Sequence, residues 1–157
     1  MPKKKLDETI WTLICQIDDM NGEYYSYLMD RLLEAGAKDV TYTSVYMKKN
    51  RPGTQVTVLA SQDDLESIER LLLLETTTFG IRKFPVERRT LDRILKVVES
   101  PLGPIGIKMG LLDGEIIKVT PEYESLRLIA LDRQVPLPEV YSQVNAWLKK
   151  ELDHKRL

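Results

Sequence analysis

Hydrophobic and polar positions alternate in some stretches of the chain and recur every three or four residues in others, which divides it into a series of strands and helices. In TIWTLICQI, residues 9–17, Trp11, Leu13, Cys15 and Ile17 share one face of a strand that ends at Asp18-Asp19. Tyr24, Tyr25, Leu28, Met29, Leu32 and Leu33 follow at helical spacing, with Asn21 suited to cap the start and Gly36 the end. The β-rich stretch 39–48 predicts a second strand, the turn Asn50-Arg51-Pro52-Gly53 a chain reversal, and TQVTVLA at 54–60 a third strand. Ser61 with Asp64 resembles a capping box ahead of Leu65, Ile68, Leu71 and Leu72, a second helix that ends near Leu74. The polar link ETTTFG, 75–80, then leads to a fourth strand, IRKFPVERR, where Pro85 requires a sheet edge.

The order β-α-β-β-α-β predicts an α+β fold whose first part is ferredoxin-like, with both helices on one face of the sheet. Beyond about Arg93 a β-meander is expected: RILKVVES, a Pro/Gly turn at 100–104, GIKMGLL, the Asp113-Gly114 hairpin signal and EIIKVT. Two C-terminal helices close the chain. Thr120 can cap the first, with Pro121 at its first position, and Pro136 and Pro138 separate the two. The expected organisation is a tail over residues 1–8, a ferredoxin-like part over 9–90 and a meander with two helices over 91–157.

The ferredoxin-like plan makes a spatial prediction. The ends of the first and second strands and the starts of the third and fourth fall along one edge of the sheet. Three polar loops therefore meet there: Asp18-Asp19-Met20-Asn21, Lys48-Lys49-Asn50-Arg51 and Thr76-Thr77-Thr78-Phe79-Gly80. Lys48, Lys49 and Arg51 supply charge-assisted donors for phosphate oxygens, and the first helix points its positive end at the same rim. Asp18, Asp19 and Glu23 are hard oxygen ligands of the kind Mg²⁺ or Mn²⁺ uses beside a polyphosphate. Thr76, Thr77, Thr78 and the backbone at Gly80 add hydrogen-bonding capacity, and Arg82 and Lys83 extend the positive field. Each feature alone also has an ordinary structural reading, as a solvated hairpin tip, a helix cap or a Thr-rich turn. There is no Walker-type glycine loop.

Composition narrows the classes. Among 157 residues, 23 Lys+Arg stand against 24 Asp+Glu, so a net charge of −1 offers no general field for nucleic acid, and any anion site must be local. The longest aliphatic run, Leu71–Leu74, is far below the ~20 residues of a membrane span, and MPKKKLDE has no apolar segment behind its cations. The single cysteine, Cys15, reads as a reduced packing residue, which with the lack of an export signal implies a cytoplasmic location. His154, the only histidine, falls in a charged tail and reads as solvated, so no soft-metal cluster is expected. Glu87-Arg88-Arg89 reads as a charged guard on the edge strand. Tyr42 and Tyr46 are candidates for packing or a subunit interface, and the third strand lacks the aromatics of an RNA-binding sheet.

IDDMNGEYYSYLMDRLLEAGAKDV, YMKKNRPGTQVTVL, ETTTFGIR followed by VERR, SPLGPIGIKMG and PEYESLRLIA…VPLPEVY together resemble the C-terminal part of the LarC family. These proteins insert nickel into the pyridinium bisthiocarboxylate mononucleotide, or nickel-pincer, cofactor of lactate racemase. The resemblance covers nearly the whole chain after residue 8. It implies a CTP-dependent nickel chelatase, or cyclometallase, working with Mg²⁺ or Mn²⁺. Lys48, Lys49, Asn50, Arg51 and the stretch Thr76 to Arg82 match the family's basic and Thr-Gly segments, and Asp18 and Asp19 its acidic pair. The implied partners are a larger N-terminal domain with a His-rich segment, the pincer precursor and further copies of the chain, with nickel held largely outside this part. The alternative is a non-catalytic nucleotide-sensing or oligomerisation module.

Overall fold

A computed structural model describes residues 9–153, so the expected tail over 1–8 and His154 lie outside the described residues. The chain divides into two units, Met1–Arg89 and Thr90–Leu157.

In the first unit the elements are β1 (Ile10–Ile17), α1 (Tyr24–Glu34), β2 (Asp39–Met47), β3 (Arg51–Ser61), α2 (Leu65–Glu75) and β4 (Arg82–Val86). The sheet order is β2-β3-β1-β4 with every neighbour antiparallel, which is the ferredoxin-like arrangement. Leu13, Cys15 and Ile17 of β1, Val40 of β2, and Val56, Val58 and Ala60 of β3 are buried with Leu28 and Leu32 of α1 and Leu65, Ile68 and Leu72 of α2. The sheet's alternate positions thus meet the helical stripes in one core, the dominant stabilising contact of the unit. Gly36 ends α1 as expected: with φ +98° it lets its own N–H reach Leu33 O and that of Ala37 reach Leu32 O, a Schellman cap.

Several local expectations are corrected. The β2–β3 reversal is Lys48–Asn50, with Lys49 (φ 63°) and Asn50 (φ 57°) left-handed, whereas Arg51, Pro52 and Gly53 already belong to β3 opposite Met47, Tyr46 and Val45. Gly53 is there for a different reason: a Cβ would lie 2.7 Å from the Ile17 carbonyl oxygen and 2.7 Å from Met47 Sδ. Ser61 does not close a capping box, because its hydroxyl bonds the Asp64 carboxylate instead of a helix N–H. β4 takes the edge that Pro85 requires but stops at Val86, so Glu87-Arg88-Arg89 lie past the strand and do not guard it.

The second unit is a meander, β5 (Asp92–Ser100), β6 (Gly103–Leu112) and β7 (Glu115–Pro121), followed by α3 (Tyr123–Arg133) and α4 (Leu137–Asp153). Asp113 and Gly114, both at positive φ, make the expected hairpin turn. Ile105, Ile107 and Met109 of β6 pack with Leu126, Ala130, Val140, Val144 and Leu148 in a separate core. Thr120 and Pro121 do not open α3. They extend β7 opposite Lys108 and Ile107, and Glu122, whose N–H donates to Gly106 O at 2.7 Å, precedes the helix. Pro138 sits inside the first turn of α4, where its missing N–H is harmless.

Candidate functional site

Antiparallel pairing sets Ile17 opposite Thr54, Met47 opposite Arg51 and Ile14 opposite Arg82, so the segments after β1 and β2 and before β3 and β4 lie along one edge. Side chains close the arrangement. Arg51 Nη1 donates to Asp18 Oδ2 at 3.2 Å, tying the basic turn to the acidic pair. Thr77 Oγ1 donates to Asp19 Oδ1 at 2.5 Å, tying the Thr-rich link to the neighbouring carboxylate. Asp18 and Asp19 thus stand between the other two loops.

Within the link the hydroxyls act as braces. Thr76 Oγ1 bonds Leu72 O at 2.6 Å and accepts the Thr78 N–H at 3.2 Å, while Thr78 Oγ1 bonds Gly80 O at 3.1 Å. The sequence pattern alone offers these hydroxyls as ligand donors, whereas in the fold their first partners are the protein's own carbonyls and Asp19. The commonest fate of a threonine hydroxyl near a helix end is such a local backbone bond, and that was the available signal. Gly80 has neither a positive φ nor any atom within 4 Å of a Cβ position, so the fold itself does not require glycine there.

Lys48, Lys49, Asn50, Thr77, Gly80 and Arg82 are exposed, and Thr76 and Thr78 are half-buried. Glu23 is exposed just before α1, with its backbone N–H held by Asn21 Oδ1 at 3.0 Å. Among the described residues no three carboxylate, imidazole or thiol groups cluster closely enough to hold a metal ion, so Asp18, Asp19 and Glu23 are not a ready-made cage. The donor set still fits Mg²⁺ or Mn²⁺ with a polyphosphate, because Mg²⁺ is normally held by one or two carboxylates and completes its shell with phosphate and water oxygens. Lys83 is taken up in an ion pair with Glu69. An open cavity of about 290 Å³ lies elsewhere, in the second unit beside Lys108, Glu122 and Glu124, and includes none of these residues.

Behind the rim, Cys15 is buried and its thiol is pushed up to about 11 by desolvation, against smaller lowering effects of the Thr78 side chain and the Arg82 charge. A thiol so displaced is inert at neutral pH, as a packing residue should be. Tyr42 packs edge-on against Tyr25 with ring centroids 5.2 Å apart and donates to Tyr25 O at 2.7 Å, while Tyr46 is exposed.

Fold and rim together define a ferredoxin-like α+β protein, extended by a meander and two helices, with acidic and basic groups interlocked at one sheet edge. The sequence matches the family model described as "Nickel insertion protein" over residues 1–141, and the chain belongs to that family. A pyridinium-3,5-bisthiocarboxylic acid mononucleotide nickel insertion protein of Acetivibrio thermocellus is 45% identical over 143 residues, covering 91% of this chain and 35% of the relative. A relative of the same description from Thermotoga petrophila is 44% identical over 128 residues, covering 82% and 32%. The chain therefore spans about a third of the length of these curated relatives. Among solved structures, LarC2, described as the apo C-terminal domain of a cyclometallase involved in synthesis of the NPN cofactor of lactate racemase, superposes with a TM-score of 0.85. It is 32% identical, with 90% of this chain and 98% of that one covered. A Methanopyrus kandleri AV19 protein, at 22% identity and TM-score 0.65 over 87% of this chain and 84% of its own, shares the fold.

Proposed function

We propose that the rim binds CTP with Mg²⁺ or Mn²⁺, and that the chain serves as the C-terminal part of a CTP-dependent nickel chelatase that loads nickel into the pincer cofactor. The observation that carries the reading is the pair of bonds Arg51–Asp18 and Thr77–Asp19, which interlocks basic, acidic and Thr-rich loops at one edge. A nucleoside triphosphate carries about four negative charges and travels with a divalent ion, so it needs both signs of charge at once.

In this reading Lys48, Lys49 and Arg51 bind the phosphates, and Asn50 holds the left-handed turn that presents them. Asp18 and Asp19 would hold the divalent ion, with Glu23, just before α1, a further carboxylate on the same segment; when bound, the ion neutralises charge between carboxylate and phosphate. Thr76, Thr77 and Thr78 keep the third loop in place, and the open space at Gly80 leaves its backbone approachable. Arg82 adds positive field. Nickel is cargo, handled with an N-terminal domain, the pincer precursor and further copies of the chain in the cytoplasm.

Titration calorimetry of the chain with CTP, UTP, ATP and GTP, with and without Mn²⁺, tests this directly. Metal-dependent preference for CTP is expected, and equal weak binding of all four would refute the specific reading. Lys49→Ala and Arg51→Ala should each weaken CTP by about 1.5–3 kcal/mol with little change in melting temperature, the range for hydrogen bonds to charged groups. Unchanged affinity in both would return the turn to the status of a solvated tip.

A further inference from the structure

In the second unit, β6 turns Ile105, Ile107 and Met109 into the core, so Pro104, Gly106, Lys108 and Gly110 line its outer face. Neighbours fill the side-chain space of both glycines. Glu122 Oε2 lies 2.7 Å from the Cβ position at Gly106, and Leu91 Cδ1 2.8 Å from that at Gly110. Lys108 is thus the one long side chain in the middle of that strand's outer face. Register sets Leu95 and Thr120 on either side of it, and Arg93 and Lys118 on either side of Gly110. With strands about 4.8 Å apart and alternate residues about 7 Å apart, the Cα atoms of Arg93, Lys108 and Lys118 fall within about 10 Å of one another. All three cations are exposed, and none has an ion-pair partner among the described residues. Leu95 and Val97, on the same face, are 66% and 70% exposed. The open cavity of about 290 Å³ borders Lys108, with Thr120, Glu122 and Tyr123 in its wall.

We propose that this outer face, centred on Lys108, docks the pincer precursor. The proposal rests on the reading of the chain as part of a nickel insertase and deepens it by giving the organic substrate a place on the second unit's own residues. The description shared by the relatives names a pyridinium mononucleotide with two thiocarboxylates. Such a molecule is a small flat ring with roughly three net negative charges at neutral pH, since the thiocarboxylates and phosphate outweigh the positive ring. Arg93, Lys108 and Lys118 match that charge, as donors for thiocarboxylate and phosphate. Leu95 and Val97 offer apolar surface to the ring, and the Glu122 carboxylate suits the ring's own positive charge. A nucleic acid would need a longer basic track, and the chain's net charge of −1 gives it no wider field.

Calorimetric titration of the chain tests this with the precursor's oxygen analogue, pyridinium-3,5-biscarboxylic acid mononucleotide. Inorganic phosphate, a single-stranded oligonucleotide, and CTP with Mn²⁺ are titrated in parallel. Lys108→Ala, and Arg93→Ala combined with Lys118→Ala, should each weaken the analogue about 10- to 100-fold, as expected for lost charge-assisted bonds. Both should keep the wild-type melting temperature and CTP affinity, and Lys149→Ala, at an exposed lysine of α4, should leave every ligand unaffected. Analogue binding that all the variants retain overturns the proposal, as does a wild-type chain that binds CTP and not the analogue; in both cases the nucleotide reading stands. Phosphate or oligonucleotide binding as tight as the analogue's, and lost in the same variants, also overturns it, because the face would then be a general anion surface. If the wild-type chain binds neither the analogue nor CTP, the functional reading fails and the proposal fails with it.

Discussion

Gly53 shows how a single residue can be placed correctly on the chain and misread in its purpose. Pro52-Gly53 after Asn50 has the chemistry of a turn, yet the reversal is made three residues earlier by Lys49 and Asn50 in left-handed conformations. Asparagine tolerates that region well and lysine less so, which hid the true turn from sequence reasoning. What Gly53 provides is room, because a Cβ would press on Ile17 O, a backbone atom at the rim end of β1, at 2.7 Å. Met47 Sδ can swing aside, but the carbonyl cannot move without parting β1 from β3. Gly53→Ala should therefore destabilise the protein by about 1–3 kcal/mol, an overpacking effect, and should loosen the Asp18–Arg51 contact beside it. Gly80→Ala, at an unobstructed position, is the control and should stay within about 0.5 kcal/mol of wild type in urea denaturation. Equal stabilities of the two variants would show that the strands absorb the extra methyl.

At the scale of elements, strands and helices were largely legible because alternation and helical spacing follow burial, and burial here is simple: one sheet face against two helical stripes. The convergence of the three loops was legible for the same reason, since strand order alone fixes which ends share an edge. What could not be read were choices made by tertiary contacts, such as β7 running through Thr120 and Pro121 because β6 pairs with it there. Cross-strand rows belong to this level too. Cys15 of β1, Val56 of β3 and Tyr42 of β2 form one row on the helix side, and both titratable members are pushed upward by burial, Cys15 to about 11 and Tyr42 to about 12. Each group ionises to an anion, so above pH ~9 the unfolded chain sheds protons that the folded chain keeps. The unfolded state then binds fewer protons, and stability is full below pH ~9 and falls as pH rises through the folded values. Urea denaturation at pH 7, 9 and 10.5 should show this fall, and Cys15→Ala and Tyr42→Phe should each make it shallower. Wild-type and variant slopes that run parallel would mean that neither group is desolvated as the row implies.

The whole molecule carries two cores, and the residues proposed to bind CTP and its metal all belong to the first unit. Leu126, completely buried among Ile105, Ile107, Val140 and Val144, is the natural place to separate the two. Truncating it to alanine removes three methyl or methylene equivalents from a packed interior and leaves a cavity, at a cost of about 2–5 kcal/mol. If binding is a property of the first unit, Leu126→Ala should lower the thermal stability of the second unit and leave CTP affinity unchanged at temperatures where both remain folded. Leu28→Ala, in the first core, should lower stability by a similar amount and weaken CTP as well, because α1 begins directly after the loop that carries Asp18 and Asp19. Scanning calorimetry paired with CTP titration distinguishes the outcomes. Loss of CTP binding in Leu126→Ala while the first unit stays folded would mean that the second unit supplies part of the site, and the rim would then be only one wall of it.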